Sequence, residues 1–256
     1  MRSAIIQARM SSTRLPGKVL KAINGKPLLA YMVERVKKAK AVEQIIIATS
    51  SDVSDDAIVN FCQQNNVLFF RGSLNDVLDR YYVSAQEFNV QTIIRLTADC
   101  PLIDPRLIDQ AVEVFMGGQY DYVSNAIAEQ STVPDGMDVE VFSLESLRRV
   151  CQDAVKPSDR EHVTSYYRNH PDKFSLFNIR LEKDYSRYRL TVDYPEDFMM
   201  VEKVFNALYA ANPAFGLVDI VEFLDAHPEI KSLNARFQPN EGWASAFNKD
   251  KEAGFK

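Results

Sequence analysis

Apolar and polar positions follow two alternating rhythms over the first half of the chain. Short apolar runs at 4–6 (AII), 44–50 (QIIIATS), 67–70 (VLFF) and 92–99 (TIIRLTAD) have the length and β-branched content of buried strands. Between them lie longer stretches whose apolar residues recur every three or four positions. KPLLAYMVERVKKAK sets Leu29, Met32, Val33 and Val36 on one helical face behind Pro27, which suits a first turn. SDDAIVNFCQQN carries a stripe of Ile58, Phe61 and Cys62, with Ser54 or Asp55 as its N-cap. A turn at RGSLND leads into a helix from Asp76 to about Phe88, and Asp104 caps a further helix opened by Pro105. Strand and helix in strict alternation predict an α/β fold with a mostly parallel sheet. Ligands of such sheets bind at the carboxyl ends of the strands.

After about Tyr120 the rhythm changes. YDYVSN, DVEVFS, FSLFNIRL and YRLTVD read as strands, and LESLRRVCQDAV and DREHVTSYYRNH as helices. A long helix begins near Pro195, with Met199, Val201, Val204, Phe205 and Leu208 as its apolar positions. The tail from Phe237 is polar and weakly patterned, which suits a path along the surface. No internal repeat and no linker interrupts the chain, so one α/β domain with a smaller inserted lobe is the economical reading.

Composition narrows what such a domain binds. A chain of 256 residues with 46% hydrophobic and 25% charged residues can bury a sizeable core, and no apolar run is long enough for a membrane helix. The apolar stretch behind Arg2 is too short for a secretory signal. Cys62, Cys100 and Cys151 are scattered without a CxxC pair, as expected of a reduced, cytoplasmic protein without disulfides or structural zinc. A net charge of -5 argues against a nucleic-acid partner, which calls for a basic face. Cations cluster only in the opening loop and in RVKKAK, the latter a solvated helix end. That leaves a local anion site for a small phosphorylated ligand.

The opening loop supplies such a site. Arg9, Ser11, Ser12, Thr13, Arg14, Gly17 and Lys18 follow the first strand directly. The loop has neither the GxxxxGK[ST] nor the GxGxxG pattern, so any anion is held by side chains more than by bare backbone. Guanidinium groups bind phosphate oxygens in pairs and a lysine adds a point charge. A merely solvated basic loop is the competing explanation. Asp99 and Asp193 each close an apolar run, so both carboxylates converge at the sheet's carboxyl edge, where hard oxygens suit Mg²⁺. Each also stands where a helix N-cap would. Cys100 lacks a recognisable base partner and reads as a packed thiol.

The stretch IIQARMSSTRLPGKVL at 5–20 resembles the N-terminal signature of sugar-activating cytidylyltransferases, closest to the branch named after spore coat polysaccharide biosynthesis. RGSLNDVLDRYY, RLTADCPLIDP, PDGMDVEVF, DREHVTSYY, LTVDYPEDF and NEGW match that branch in order along nearly the whole chain. The resemblance implies a Rossmann-like nucleotidyltransferase fold of the GT-A kind, a three-layer α/β/α sandwich. Within one domain it puts a nucleotide-binding part at about 1–119, a sugar-binding and dimerisation part at about 120–192, and C-terminal helices with a tail beyond. It implies the reaction of CTP with a sugar acid to give CMP-sugar and pyrophosphate, in a homodimer.

On the same resemblance Arg9, Ser11, Ser12, Thr13, Arg14 and Lys18 cradle the triphosphate, and Arg14 and Lys18 stabilise the departing pyrophosphate. Asp99 and Asp193 hold Mg²⁺. Arg71 and the backbone at Ala8 read the base, with Ser73 and Asp76 beside them, although Asp76 serves equally as a helix cap. Asp135, Asp138, Glu140, Arg160, Glu161 and His162 are candidates for the sugar pocket, Arg160 being one cation for a sugar carboxylate. Cys100 departs from the octulosonate branch and leaves the identity of the sugar open. Two other functions compete. A nucleotide-sugar glycosyltransferase wants an Asp-x-Asp motif where this chain has Thr97-Ala98-Asp99. A nucleotide-binding protein without catalysis would have no need of Asp99, Asp193, Arg14 and Lys18 together.

Overall fold

Alternation along β1 (Arg2–Gln7) divides the molecule into layers. Ala4 and Ile6 point into one apolar cluster and Ile5 into another, all without exposed surface. The computed structural model describes residues 1–127, 131–237, 250–252, 254 and 255. The stretch Asn240-Glu241-Gly242-Trp243, matched in the family resemblance, lies outside the described residues.

After β1 the chain forms a 3₁₀ turn at Lys18–Leu20 and a two-stranded ribbon of β2 (Ala22–Ile23) and β3 (Lys26–Pro27). Then follow α1 (Leu28–Val36), β4 (Gln44–Ser50), α2 (Asp56–Gln64), β5 (Leu68–Gly72), α3 (Val77–Glu87), β6 (Thr92–Thr97) and α4 (Pro105–Met116). Asp76 caps α3 by accepting from Asp79 N at 2.9 Å, and Asp104 caps α4 by accepting from Arg106 N at 2.9 Å. Neither Ser54 nor Asp55 caps α2 through its side chain, because the Asp55 carboxylate turns inward toward the opening loop.

The second half adds β7 (Tyr122–Ser124), β8 (Glu140–Ser143), α5 (Leu144–Asp153), α6 (Pro157–His162), α7 (Ser165–Asn169) and β9 (Leu176–Asn178). Then follow α8 (Pro195–Leu208), α9 (Leu217–Ala226) and α10 (Pro228–Lys231). The sheet runs β5-β4-β1-β6-β8-β7-β9. Its first four strands are parallel, β8 is antiparallel to both β6 and β7, and β9 is parallel to β7. Helices α1, α4, α8 and α9 cover one face and α3 and α5 the other, so the mostly parallel α/β sandwich expected from the sequence is what forms.

Three local expectations are corrected. YRLTVD is extended but joins no strand of the sheet. It makes one isolated bridge, Arg189 to Asp135, and its Val192 N–H donates to Asp99 O at 2.8 Å. DREHVTSYYRNH is two helices, broken at Val163, whose φ of 61° is left-handed. In α8 the buried position is Met200, while Met199 is 47% exposed.

Candidate active site

The opening loop is folded on a few backbone and side-chain anchors. Ser12 N–H and Gly17 N–H both donate to Met10 O at 2.9 Å, and Met10 N–H donates to Asp55 Oδ1 at 2.7 Å. Asp55, without exposed surface, also accepts from Ser50 N at 3.0 Å and Ser50 Oγ at 2.5 Å, tying the loop to the end of β4. Gly17 takes φ 69°, a left-handed conformation that glycine adopts without strain, and so starts the 3₁₀ turn that carries Lys18 inward.

Lys18 Nζ stands 2.7 Å from Asp99 Oδ2 and 2.8 Å from Asp193 Oδ1, and Arg14 Nη2 lies 2.7 Å from the same Asp193 oxygen. One ammonium thus joins the carboxylate just beyond β6 to the one that ends the YRLTVD segment. Burial by itself would raise the Asp193 carboxyl, but Lys18 and Arg14 outweigh it and hold it at about 2. Asp99 is lowered in the same way, burial being overcome by Lys18. Burial opposes the charge of Lys18, which Asp99 and Asp193 more than restore. All three are therefore charged at neutral pH. The paired carboxylates fit a hard divalent cation. Among the described residues no group of three or more His, Cys, Asp or Glu is placed for one, so the remaining ligands would be phosphate oxygens and water.

Behind this pair sits Arg189, which the sequence reading missed. Its guanidinium reaches Asp135 Oδ2 at 2.8 Å, Asp193 Oδ2 at 3.2 Å and Asp197 Oδ1 at 2.9 Å. Asp197 also accepts from the N–H groups of Asp193 and Tyr194 and from Asn234 Nδ2, each at 2.9 Å. A signal was available: in an extended YRLTVD, Arg189, Thr191 and Asp193 share one side while Leu190 and Val192 pack into the core.

The far end of the cleft is built on β8. Buried Glu140 pairs with Arg95, its register partner on β6, and accepts from Tyr122 Oη at 2.5 Å and Thr164 Oγ1 at 2.6 Å. Burial tends to raise its carboxyl, yet Arg95 and Arg168 bring it below the usual range. Asp135 goes the other way, to about 6, because burial, Asp193 and Asp99 outweigh Arg189. Burial, with Asp135 and Glu140 nearby, also pushes Asp138 up. Cys100 is buried beside Thr97 Oγ1 at 3.1 Å, and burial with the Asp99 charge raises its thiol well above the ordinary range, which keeps it protonated.

These groups surround a cleft of about 430 Å³ at the carboxyl ends of β1 and β6. Ala8, Arg9, Ser12, Thr13, Arg14, Lys18, Asp99, Asp135, Asp138, Glu140, Glu161, His162 and Asp193 line it. Arg80, Arg95, Arg168 and Arg189 line it too, unforeseen from the sequence. Five expected residues stand outside the lining: Ser11, Arg71, Ser73, Asp76 and Arg160. Arg71 binds Ser50 O, Asp52 O and Asp56, and Ser73 Oγ accepts from Asp76 N at 3.1 Å. Arg160 Nε and Nη2 both meet Asp76 Oδ2, at 2.9 and 2.5 Å, so the cation expected for a sugar carboxylate instead braces α6 against α3. Ala8 N–H donates to Ala48 O at 3.1 Å, which engages its donor in the sheet.

The chain is 33% identical over 234 residues to the spore coat polysaccharide biosynthesis protein SpsF of Bacillus subtilis, covering 88% of this chain and 94% of that protein. A 3-deoxy-manno-octulosonate cytidylyltransferase of Hydrogenovibrio crunogenus is 33% identical over 119 residues, 45% of this chain and 47% of that one. The solved structure of a cytidylyltransferase from Leptospira borgpetersenii superposes with a TM-score of 0.86 at 34% identity, covering 93% of this chain and 99% of that one. The cytidylyltransferase family model matches residues 3–215. With a cationic side-chain loop in direct contact with two ionised carboxylates in a cleft at the sheet's carboxyl edge, the chain belongs to the cytidylyltransferase family, the CTP-dependent nucleotidyltransferases.

Proposed function

We propose that the protein activates a sugar acid of the 3-deoxy-2-keto type, an octulosonate or nonulosonate, for surface polysaccharide or glycan synthesis. The acceptor's anomeric hydroxyl attacks the α-phosphate of CTP, the P–O bond to the β-phosphate breaks, and CMP-sugar and pyrophosphate leave. The observation that carries this reading is the Lys18 ammonium shared between Asp99 and Asp193, with Arg14 on the same Asp193 oxygen. Arg9, Ser12 and Thr13 on the cleft wall bind the triphosphate, and Arg14 and Lys18 meet the charge that gathers on pyrophosphate as it departs. Asp99 and Asp193 would hold Mg²⁺, which when bound draws charge from the phosphate and steadies it for in-line attack. The acceptor lies at the other end, among Asp135, Asp138, Glu161 and His162. The family resemblance further supports a homodimer in the cytoplasm. No described helix is long and apolar enough to cross a membrane.

Pyrophosphate release from CTP and Mg²⁺ tests the reading, with octulosonate, sialic, pseudaminic and legionaminic-type acids as acceptors. A thermal-shift series with CTP, UTP, GTP and ATP accompanies it. Stabilisation by CTP above the other nucleotides, and release with at least one acid, are expected. Absence of both overturns the reading.

A further inference from the structure

Residues 158–165, of which Glu161 and His162 line the cleft, are pinned at three points. At its start, Ser158 donates through N–H at 2.8 Å and through Oγ at 2.5 Å to the two carboxylate oxygens of Asp250, 92 residues further along the chain. Both bonds are buried, and Asp250 itself is 7% exposed. At its end, Thr164 Oγ1 donates to Glu140 Oε1 at 2.6 Å and Ser165 Oγ to Asp159 Oδ1 at 2.7 Å.

Between the pins the backbone is strained. Val163 takes φ 61° and ψ −56°, and Thr164 N–H closes a three-residue turn on His162 O at 2.5 Å. For a β-branched residue this conformation is an outlier and persists only where the surroundings hold it. Val163 is fully buried while Glu161 and His162, just before it, face the cleft. The turn therefore sets which side chains the acceptor meets, and its flanks must be fixed for it to do so.

We propose that Asp250 is a positioning residue for the acceptor, clasping Ser158 so that α6 and the Val163 turn hold Glu161 and His162 against the cleft. The proposal rests on reading that end of the cleft as the acceptor's place. The chemistry of the clasp is specific. Ser158 presents two donors, and a carboxylate alone offers two acceptor oxygens, whereas an amide would turn an NH₂ group toward one of them. Asp250 does not line the cleft, and the phosphate end is built on the separate contacts of Lys18, Asp99, Asp193 and Arg189. Disturbing the clasp should thus separate acceptor binding from nucleotide binding.

The test uses the full chain with Asp250→Asn and Ser158→Ala, Mg²⁺, CTP, and as acceptor probe whichever acid of the panel the wild type turns over fastest. Expected for Asp250→Asn are an acceptor KM raised about tenfold, kcat and the CTP Kd changed less than about twofold, and faster amide exchange across 157–165. Ser158→Ala keeps the N–H bond, so its rise is smaller, and it stands in should Asp250→Asn fail to fold. Where the wild type turns over, an unchanged acceptor KM in Asp250→Asn overturns the proposal alone, as does an equal loss of CTP affinity. A wild type that binds CTP yet turns over no sugar acid overturns the acceptor reading, and this proposal with it.

Discussion

Arg189 Nε lies 2.9 Å from Oδ1 of Asp197, a carboxylate without exposed surface, and the same guanidinium reaches Asp193 and Asp135 on its other edge. One planar cation therefore joins the base of α8 to both ends of the cleft. A lysine has the charge but donates from a single atom, so it does not reproduce a planar fork whose three nitrogens reach carboxylates on different sides. Arg189→Met leaves Asp197 buried with an uncompensated charge and is expected to lower unfolding free energy by about 3–5 kcal/mol. Urea unfolding of the variant checks this. Arg189→Met with Asp197→Asn should recover part of the loss, and equal costs for the single and double variants would contradict the pairing.

Lys18 occupies the space between Asp99 and Asp193, in contact with both carboxylates. Its removal acts on two equilibria with opposite sign. Lys18→Ala is expected to slow pyrophosphate release about 10²–10³-fold, the scale of losing one preorganised charge at the departing group. It should also tighten Mn²⁺ binding by the CTP-free protein, since the two carboxylates lose a competing ammonium. Calorimetry with Mn²⁺ alone reads the second effect, and weaker binding would show that Lys18 does not stand in the cation's place.

What the sequence made legible follows from the range of each interaction. β1, the cationic loop, Asp99, Asp193 and the caps at Asp76 and Asp104 depend on neighbours a few positions away, and all are where the pattern put them. Glu140 lies on the strand expected at DVEVFS and holds Arg95, a pairing set by the antiparallel register of β6 and β8 that no local pattern reveals. The pairing of Arg160 with Asp76 comes from the packing of α6 against the start of α3, which no local pattern reveals. The extended YRLTVD reading had the right backbone, but its partners are the segments at Asp99 and Asp135 rather than a sheet strand. The break at Val163 was hidden because valine is among the least expected residues for a left-handed φ.

Gly136 explains how the Asp135 segment comes so close to Arg189. Its φ is 99°, and an added Cβ would stand 2.4 Å from Thr191 N and 2.6 Å from Leu190 C. Both are backbone atoms, so no side chain can swing aside. Gly136→Ala is expected to cost about 3 kcal/mol or more from the combination of strained backbone and overlap. Because the displaced segment carries Asp135 away from Arg189, the variant should weaken acceptor binding more than CTP binding at temperatures where it stays folded. Urea midpoints together with separate KM values check both parts.

Asp193 and Asp135 drive stability in opposite directions as pH changes. An unfolded aspartate titrates near about 3.9. Asp193, held at about 2 in the folded protein with burial opposed by Lys18 and Arg14, contributes stability above that value and loses it as pH falls from about 4 toward 2. Asp135, raised to about 6 by burial and its acidic neighbours against the pull of Arg189, keeps its proton in the folded state where the unfolded chain has released it. The folded state then binds the extra proton, so this contribution declines as pH rises from about 4 to 6 and is level above. Asp138, also raised, adds in the same direction. Asp135→Asn should accordingly make the fall in unfolding free energy between about pH 4 and 6 shallower while leaving the acid-side loss below 4 in place. Urea unfolding at half-unit pH steps measures both limbs. A variant whose slope between 4 and 6 matches the wild type would show that Asp135 ionises as freely in the folded protein as in the unfolded chain.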